Sequence, residues 1–110
     1  LTFKENCPDI RNTKVPDIVN HLLSFGCEVS VTDPYADAKE TKKFLNLNLA
    51  STHNINKCDT VILAVAHDQY KLIQKEEWQK IFNGKGVFID VKSIYNKDYF
   101  NNTNINHWRL

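Results

Sequence analysis

The chain has 110 residues, 42% of them hydrophobic, and 14 basic against 13 acidic side chains give a formal charge of +1. That length predicts one globular domain with a real core, and it is short for a complete multi-substrate enzyme. The balanced, scattered charge offers no basic stripe for nucleic acid, and no apolar run approaches a membrane span, so neither partner is expected.

Cys7, Cys27 and Cys58 are odd in number and form no CxxC pair, which argues against a disulfide framework and a zinc site and for a reduced, cytoplasmic compartment. The opening LTFKENC has neither the basic region nor the apolar stretch of a signal peptide. The chain contains no Met at all, which predicts a piece cut from a longer polypeptide.

A short strand is expected from Leu1, giving way to a polar loop that holds Lys4, Asp9 and Arg11. From Asn12 the spacing becomes helical: Val15, Ile18, Val19, Leu22 and Leu23 share one apolar stripe. Asn12 or Thr13 is its expected cap, Pro16 suits the first turn and Gly26 ends it. Cys27, Val29 and Val31 then alternate ahead of an Asp33-Pro34 turn, as a short strand does. Residues 36–46 suit an exposed helix with a thin apolar face. Leu47 and Leu49 can start a short strand, while Asn54, Asn56 and Lys57 look like loop.

Val61 to Ala66 is an uninterrupted apolar run with β-branched residues, the pattern of a strand covered on both faces of a parallel sheet. His67 and Asp68 sit at its carboxyl end. Helical spacing returns over residues 69–82 through Tyr70, Ile73, Trp78, Ile81 and Phe82, and an NGKG turn precedes a further strand, VFIDV. The tail NINHWRL either adds an edge strand or packs on the surface. This alternation predicts an α/β fold over 1–110: a three-layer Rossmann-like sandwich, with a mainly parallel sheet flanked by helices. Ligands of such folds gather at strand carboxyl ends, where four polar clusters fall: Lys4 to Arg11, Asp33 to Tyr35, His67 with Asp68, and Asp90 with Lys92.

Lys4 and Arg11 beside a helix amino terminus suit a phosphate; equally, Arg11 can pair with Asp9 or Asp17 while Lys4 is simply solvated. With three glycines and neither GxGxxG nor GxxxxGK[ST], the chain is not by itself a standard dinucleotide-binding domain. Asp33 occupies the place of a ribose-binding acid, yet closing the Asp-Pro turn is the role its surroundings favour. His67 with Asp68 invites a general acid/base or metal reading, but His67 lacks convergent partners and metal-ligand spacing, and Asp68 is read as the cap of the next helix. Lys92 would share a crevice with Lys4 if their strands are neighbours. Cys27 and Cys58 are read as packing residues, and no cysteine has the setting of a nucleophile.

In order and separation, Leu1-Thr2-Phe3-Lys4, Pro8-Asp9-Ile10-Arg11-Asn12, Thr32-Asp33-Pro34-Tyr35, Leu63-Ala64-Val65-Ala66-His67 and Asp90-Val91-Lys92 resemble the carboxyl-terminal domain of the UDP-glucose/GDP-mannose dehydrogenase family. The closest look is to its bacterial UDP-N-acetylhexosamine dehydrogenases, which make uronic acids for capsule and O-antigen polysaccharides. The resemblance implies an enzyme that oxidises the sixth carbon of a UDP-sugar from alcohol to carboxylate, reducing two NAD in succession. It implies three parts: an NAD-binding amino-terminal domain, a central dimerisation segment carrying the catalytic Cys, and the nucleotide-sugar-binding domain. This chain resembles the third alone. The expected partners are therefore the UDP-sugar and the other two domains, in a homodimeric full-length enzyme.

Carried over by position, the resemblance implies Phe3, Lys4 and Lys92 as substrate contacts and Arg11 as a contact to NAD. It implies no catalytic residue and no metal ligand in this segment, so the 110 residues alone should lack dehydrogenase activity. Lys92 stands where Arg is frequent in the wider family, which gives up a bidentate fork, and Ser93 departs from a frequent Asn. Two other readings stand beside this one: a stand-alone α/β anion-binding or regulatory module whose cations only fix a loop, and a phosphotransfer receiver domain, which would need an acidic pocket.

Overall fold

Three parallel strands with helices against them organise the second half of the chain. In the computed structural model, which describes residues 1–52, 55 and 57–110, the chain divides into two units, Leu1–Ile55 and Asn56–Leu110.

The first unit contains helix α1 (Val15–Ser24) and helix α2 (Ala38–Leu45). The apolar stripe predicted from Val15 makes α1, with Pro16 in the first turn, where its missing N–H costs nothing. Its N-cap is Lys14 rather than Asn12 or Thr13, although Thr13 Oγ1 accepts the Val15 N–H at 3.3 Å. Gly26, at φ +81°, closes the helix as expected, its N–H reaching the Leu23 carbonyl at 3.0 Å. Asp37 caps α2 by accepting the Glu40 N–H at 2.8 Å, and Asn46 ends it in the left-handed region.

Two expected strands are not regular here. Leu1 and Thr2 are buried, but their N–H groups go to the Asp33 carboxylate instead of a strand ladder. The segment from Cys27 is reduced to one parallel bridge, Val31 with Leu49, reinforced by the Ala50 N–H on the Val31 carbonyl at 2.8 Å. Cys27 itself is exposed, which corrects its reading as a packing residue. The loop expected at Asn54 and Asn56 lies outside the described residues, while Lys57 has no regular structure.

In the second unit the sheet order is β1 (Cys58–Leu63), β2 (Phe82–Asp90), β3 (Ile105–Arg109), all parallel. The NGKG segment lies within β2, as an irregularity that shifts the pairing from Cys58↔Phe82 to Thr60↔Val87. Of the two options for the tail, the edge strand is the one formed.

The helix expected over 69–82 is instead two short ones, α3 (Asp68–Lys71) and α4 (Lys75–Gln79). The Tyr95 hydroxyl donates to the Tyr70 carbonyl and the Tyr99 hydroxyl to that of Ile73, so the backbone acceptors a continuous helix would use are engaged from outside. The Glu77 carboxylate then takes the Gln74 N–H at 3.3 Å and starts the second helix. Asp68 is not the cap of α3 but its first residue, paired with Lys71 Nζ at 2.8 Å; His67 is the cap position.

Phe88 is the centre of the second unit's core, fully buried among Trp78 at 5.0 Å between ring centroids, Phe100 at 4.9 Å and Tyr95 at 5.8 Å. Leu63, Phe82 and Ile105 complete it. Rings of this size contribute through buried apolar area, so truncating Phe88 to Ala would cost about 3–5 kcal/mol.

Candidate functional site

The opening loop is tied down at several points before its side chains reach solvent. The fully buried side chain of Asp33 accepts on Oδ2 from the Leu1 amino group at 2.7 Å and the Thr2 N–H at 3.1 Å. Its Oδ1 accepts from Tyr35 and Ala36 N–H groups at 2.8 and 3.1 Å, so the Asp-Pro turn is closed as expected. Thr13 Oγ1 donates to the Leu1 carbonyl at 2.6 Å, Thr2 Oγ1 to the Lys4 carbonyl at 3.1 Å, and the Phe3 N–H to the Asp9 carbonyl at 2.8 Å. From this frame Phe3 emerges 58% exposed, with Lys4 exposed beside it.

Arg11 is held by Asp9. Nε donates to Oδ1 at 3.0 Å, Nη2 to Oδ2 at 2.9 Å, and the Arg11 backbone N–H to Oδ1 at 2.9 Å. The hydrogen bond to Arg11 pulls the Asp9 carboxyl down to about 2, with the Lys4 charge a smaller contribution, and the same bond raises the Arg11 guanidinium. Of the two readings open for Arg11, pairing with Asp9 is the arrangement present. The guanidinium is nonetheless 82% exposed, so its remaining N–H groups face solvent. Lys4 stands outside any ion pair among the described residues, the simple cation of the loop.

Lys92 belongs to the second unit, exposed just beyond the carboxyl end of β2. Its turn is set by the Val91 N–H on the Leu63 carbonyl at 3.1 Å, the Ser93 N–H on the Asp90 carbonyl at 3.2 Å, and Ser93 at φ +53°. Asp90, singled out with Lys92, is buried and internal: its carboxylate accepts from Ile94 N–H at 3.1 Å and Tyr95 N–H at 2.9 Å. His107 Nε2 lies 3.4 Å from the same carboxylate without forming a hydrogen bond to it. His67 is fully buried, its ring 5.6 Å from that of Tyr70. Burial raises the Cys58 thiol, which makes it less available as a thiolate.

What sequence reasoning missed is the long-range bonding of Asp33 and Thr13. Asp33 reaches Leu1 and Thr2 across more than thirty positions of sequence, as its separations of 32 and 31 record, and no local motif signals such a bond. Thr13, read as a possible cap, accepts the Val15 N–H from outside the N-cap position and also holds the Leu1 carbonyl.

The opening loop thus combines a buried acceptor, Asp33, with an exposed ring and an exposed cation, Phe3 and Lys4, and an arginine fork engaged by Asp9. The chain belongs to the UDP-glucose/GDP-mannose dehydrogenase family: the model of that family's UDP binding domain matches residues 1–97. Over its whole length it is 42% identical to Protein CapL of Staphylococcus aureus, of which it covers 26%. It is 39% identical over 89% of its length to UDP-N-acetyl-D-glucosamine 6-dehydrogenase of Pseudomonas aeruginosa, of which it covers 23%. A crystal structure of NDP-N-acetyl-D-galactosaminuronic acid dehydrogenase from Methanosarcina mazei Go1 shares the fold at a TM-score of 0.84 and 19% identity, over 97% of this chain and 22% of that one. The chain thus spans about a quarter of the length of the relatives it matches. No helix among the described residues is long and apolar enough to cross a membrane.

Proposed function

We propose that residues 1–110 act as the nucleotide-sugar-binding domain of an NAD-dependent UDP-sugar 6-dehydrogenase. Such an enzyme oxidises the sixth carbon of the sugar to a carboxylate for polysaccharide biosynthesis in the cytoplasm. Phe3, Lys4 and Lys92 contact the UDP-sugar, and Arg11 contacts NAD. The observation that carries this reading is the framed loop, in which an exposed aromatic ring and an unpaired cation leave adjacent positions of fixed backbone. A nucleoside diphosphate sugar needs that combination, a flat apolar surface and neutralisation of charge.

The exposed face of the Arg11 guanidinium fits a pyrophosphate oxygen, while the chain's own glycines supply no phosphate cradle; NAD is then held mainly by another domain of the same polypeptide. Bound there, NAD supplies the hydride acceptor. In this reading the full-length enzyme is a homodimer, and these 110 residues turn over no substrate alone.

The experiment is calorimetric titration of the 110-residue chain with UDP, a UDP-hexose and the free hexose. Binding that follows the diphosphate is expected, weak because part of the site lies in other domains; binding of the free hexose alone, or of none of the three, defeats the reading. One observation favours a second reading, in which the cations only stabilise a loop: Arg11 is already paired with Asp9. That alternative predicts no response to UDP.

A further inference from the structure

We propose that Asp33 is a positioning residue for the nucleotide-sugar contact, fixing the backbone from which Phe3 and Lys4 project. The inference rests on the function proposed above and extends it to a residue that touches no ligand. Asp33 is a carboxylate with no exposed side-chain surface, and it receives four N–H groups from two separate segments. Each oxygen takes two. An ionised carboxylate is the one side chain of this size that is acceptor-only on both atoms. Asn would turn an NH2 toward one of the two N–H pairs and lose both bonds there.

The placement of these bonds gives Asp33 its reach. Leu1 and Thr2 immediately precede Phe3 and Lys4, and both are buried, at 6% and 1% exposure. Thr2, held through its N–H by Asp33, in turn holds the Lys4 carbonyl through its hydroxyl. The Leu1 nitrogen donates as an ammonium in this chain and has a proton to donate as a peptide N–H in a longer one. A ligand meeting Phe3 and Lys4 therefore finds their backbone already ordered and does not have to supply that ordering free energy on binding.

The test is made on the 110-residue chain in two measurements. In the absence of ligand, Asp33→Asn should speed amide hydrogen exchange at Thr2 and Phe3 by about ten-fold or more while the core around Phe88 keeps its protection. By calorimetry with UDP, Asp33→Asn should weaken binding about ten-fold, and that loss should shrink to about two-fold when Lys4 is already Ala, because the two residues act through one contact. A purely structural role would leave the loss equal in both backgrounds. Unchanged exchange at Thr2, or equal losses, overturns the proposal. Should Asp33→Asn fail to fold, Thr13→Ala removes the other anchor of Leu1 and must give the same pattern in both measurements. If the unaltered chain does not bind UDP, the functional reading falls, whereas the exchange of Thr2 still decides whether Asp33 anchors the loop.

Discussion

Tyr95 lies flat against Tyr99, with ring centroids 4.1 Å apart and planes 17° from parallel, and each hydroxyl donates to a backbone carbonyl of the α3–α4 segment. Tyr95 also accepts the Trp78 indole N–H at 3.0 Å, so one phenol joins the ring stack, α4 and α3.

Replacing Tyr95 by Phe should therefore destabilise the chain by about 1–3 kcal/mol, since a buried indole N–H and a carbonyl lose a partner while ring packing is kept. Burial raises both phenols above their ordinary range. A raised phenol favours the protonated folded state: its stabilising contribution is complete below the unfolded value near 10 and is lost as pH climbs from there. Urea denaturation should show stability falling above pH 10, and Tyr95→Phe should flatten that fall. An unaltered alkaline slope in the variant would contradict the assignment.

Asp9 titrates in the opposite sense. Its fork with Arg11 lowers the carboxyl to about 2 from 3.8, so the pair is intact above the unfolded value and opens as pH falls through about 2. Carbon-detected NMR should place the Asp9 midpoint near 2 in the unaltered chain and return it toward 3.8 in Arg11→Ala. A midpoint already near 3.8 in the unaltered chain would mean that the fork does not persist in solution. Between pH 5 and 8 neither residue should change the melting midpoint appreciably, as both are solvent-screened.

Binding variants separate the cations. Lys4→Ala should weaken UDP by about ten-fold, the range of a lost charge-assisted contact, with the melting midpoint unchanged. Lys92→Arg should tighten it, because the guanidinium regains a fork that an ammonium lacks. In a full-length dehydrogenase carrying this domain, Arg11→Ala should raise the Michaelis constant for NAD more than that for the UDP-sugar. Equal effects on both, measured by initial rates, would remove Arg11 from its assigned role.

These residues also mark what could be read ahead of the structure. Val15, Ile18, Val19, Leu22 and Leu23 announce α1 because a helical stripe is a local property. The apolar run from Val61 announces β1 only in part, because the strand is Cys58–Leu63: it starts three residues earlier, at partly exposed positions, and ends before Ala64–Ala66. By contrast, the break between α3 and α4 depends on hydroxyls 25 and 26 residues downstream, and helical spacing runs straight through it. The loss of a strand at Leu1 has a similar origin, since Asp33 competes for N–H groups that a ladder would use. Around the opening loop, the Asp33-Pro34 turn is legible as a local signal, whereas the bonds from Asp33 to Leu1 and Thr2 and from Thr13 to Leu1 are tertiary and leave no sequence signature.

The two glycines of the β2 irregularity make a final prediction, because they are glycine for different reasons. At Gly84, φ is +85° and nothing lies within 4 Å of an added Cβ, so Ala meets only the left-handed penalty, about 1 kcal/mol. At Gly86 an added Cβ would come within 2.1 Å of Phe82 Cδ1 and 2.6 Å of the Asp59 carbonyl oxygen. The Phe82 ring is 2% exposed within the core and the carbonyl belongs to β1, so neither can retreat without unpacking the sheet. Gly86→Ala should cost about 3 kcal/mol or more, the upper range for overpacking, and chemical denaturation should rank it well above Gly84→Ala. The reverse order would mean that the β1–β2 pairing shift is misplaced. A Phe82→Leu change in the Gly86→Ala background should recover part of the loss, since it replaces the rigid ring, whose Cε1 also lies 2.5 Å from the added Cβ, with a smaller side chain that can rotate away.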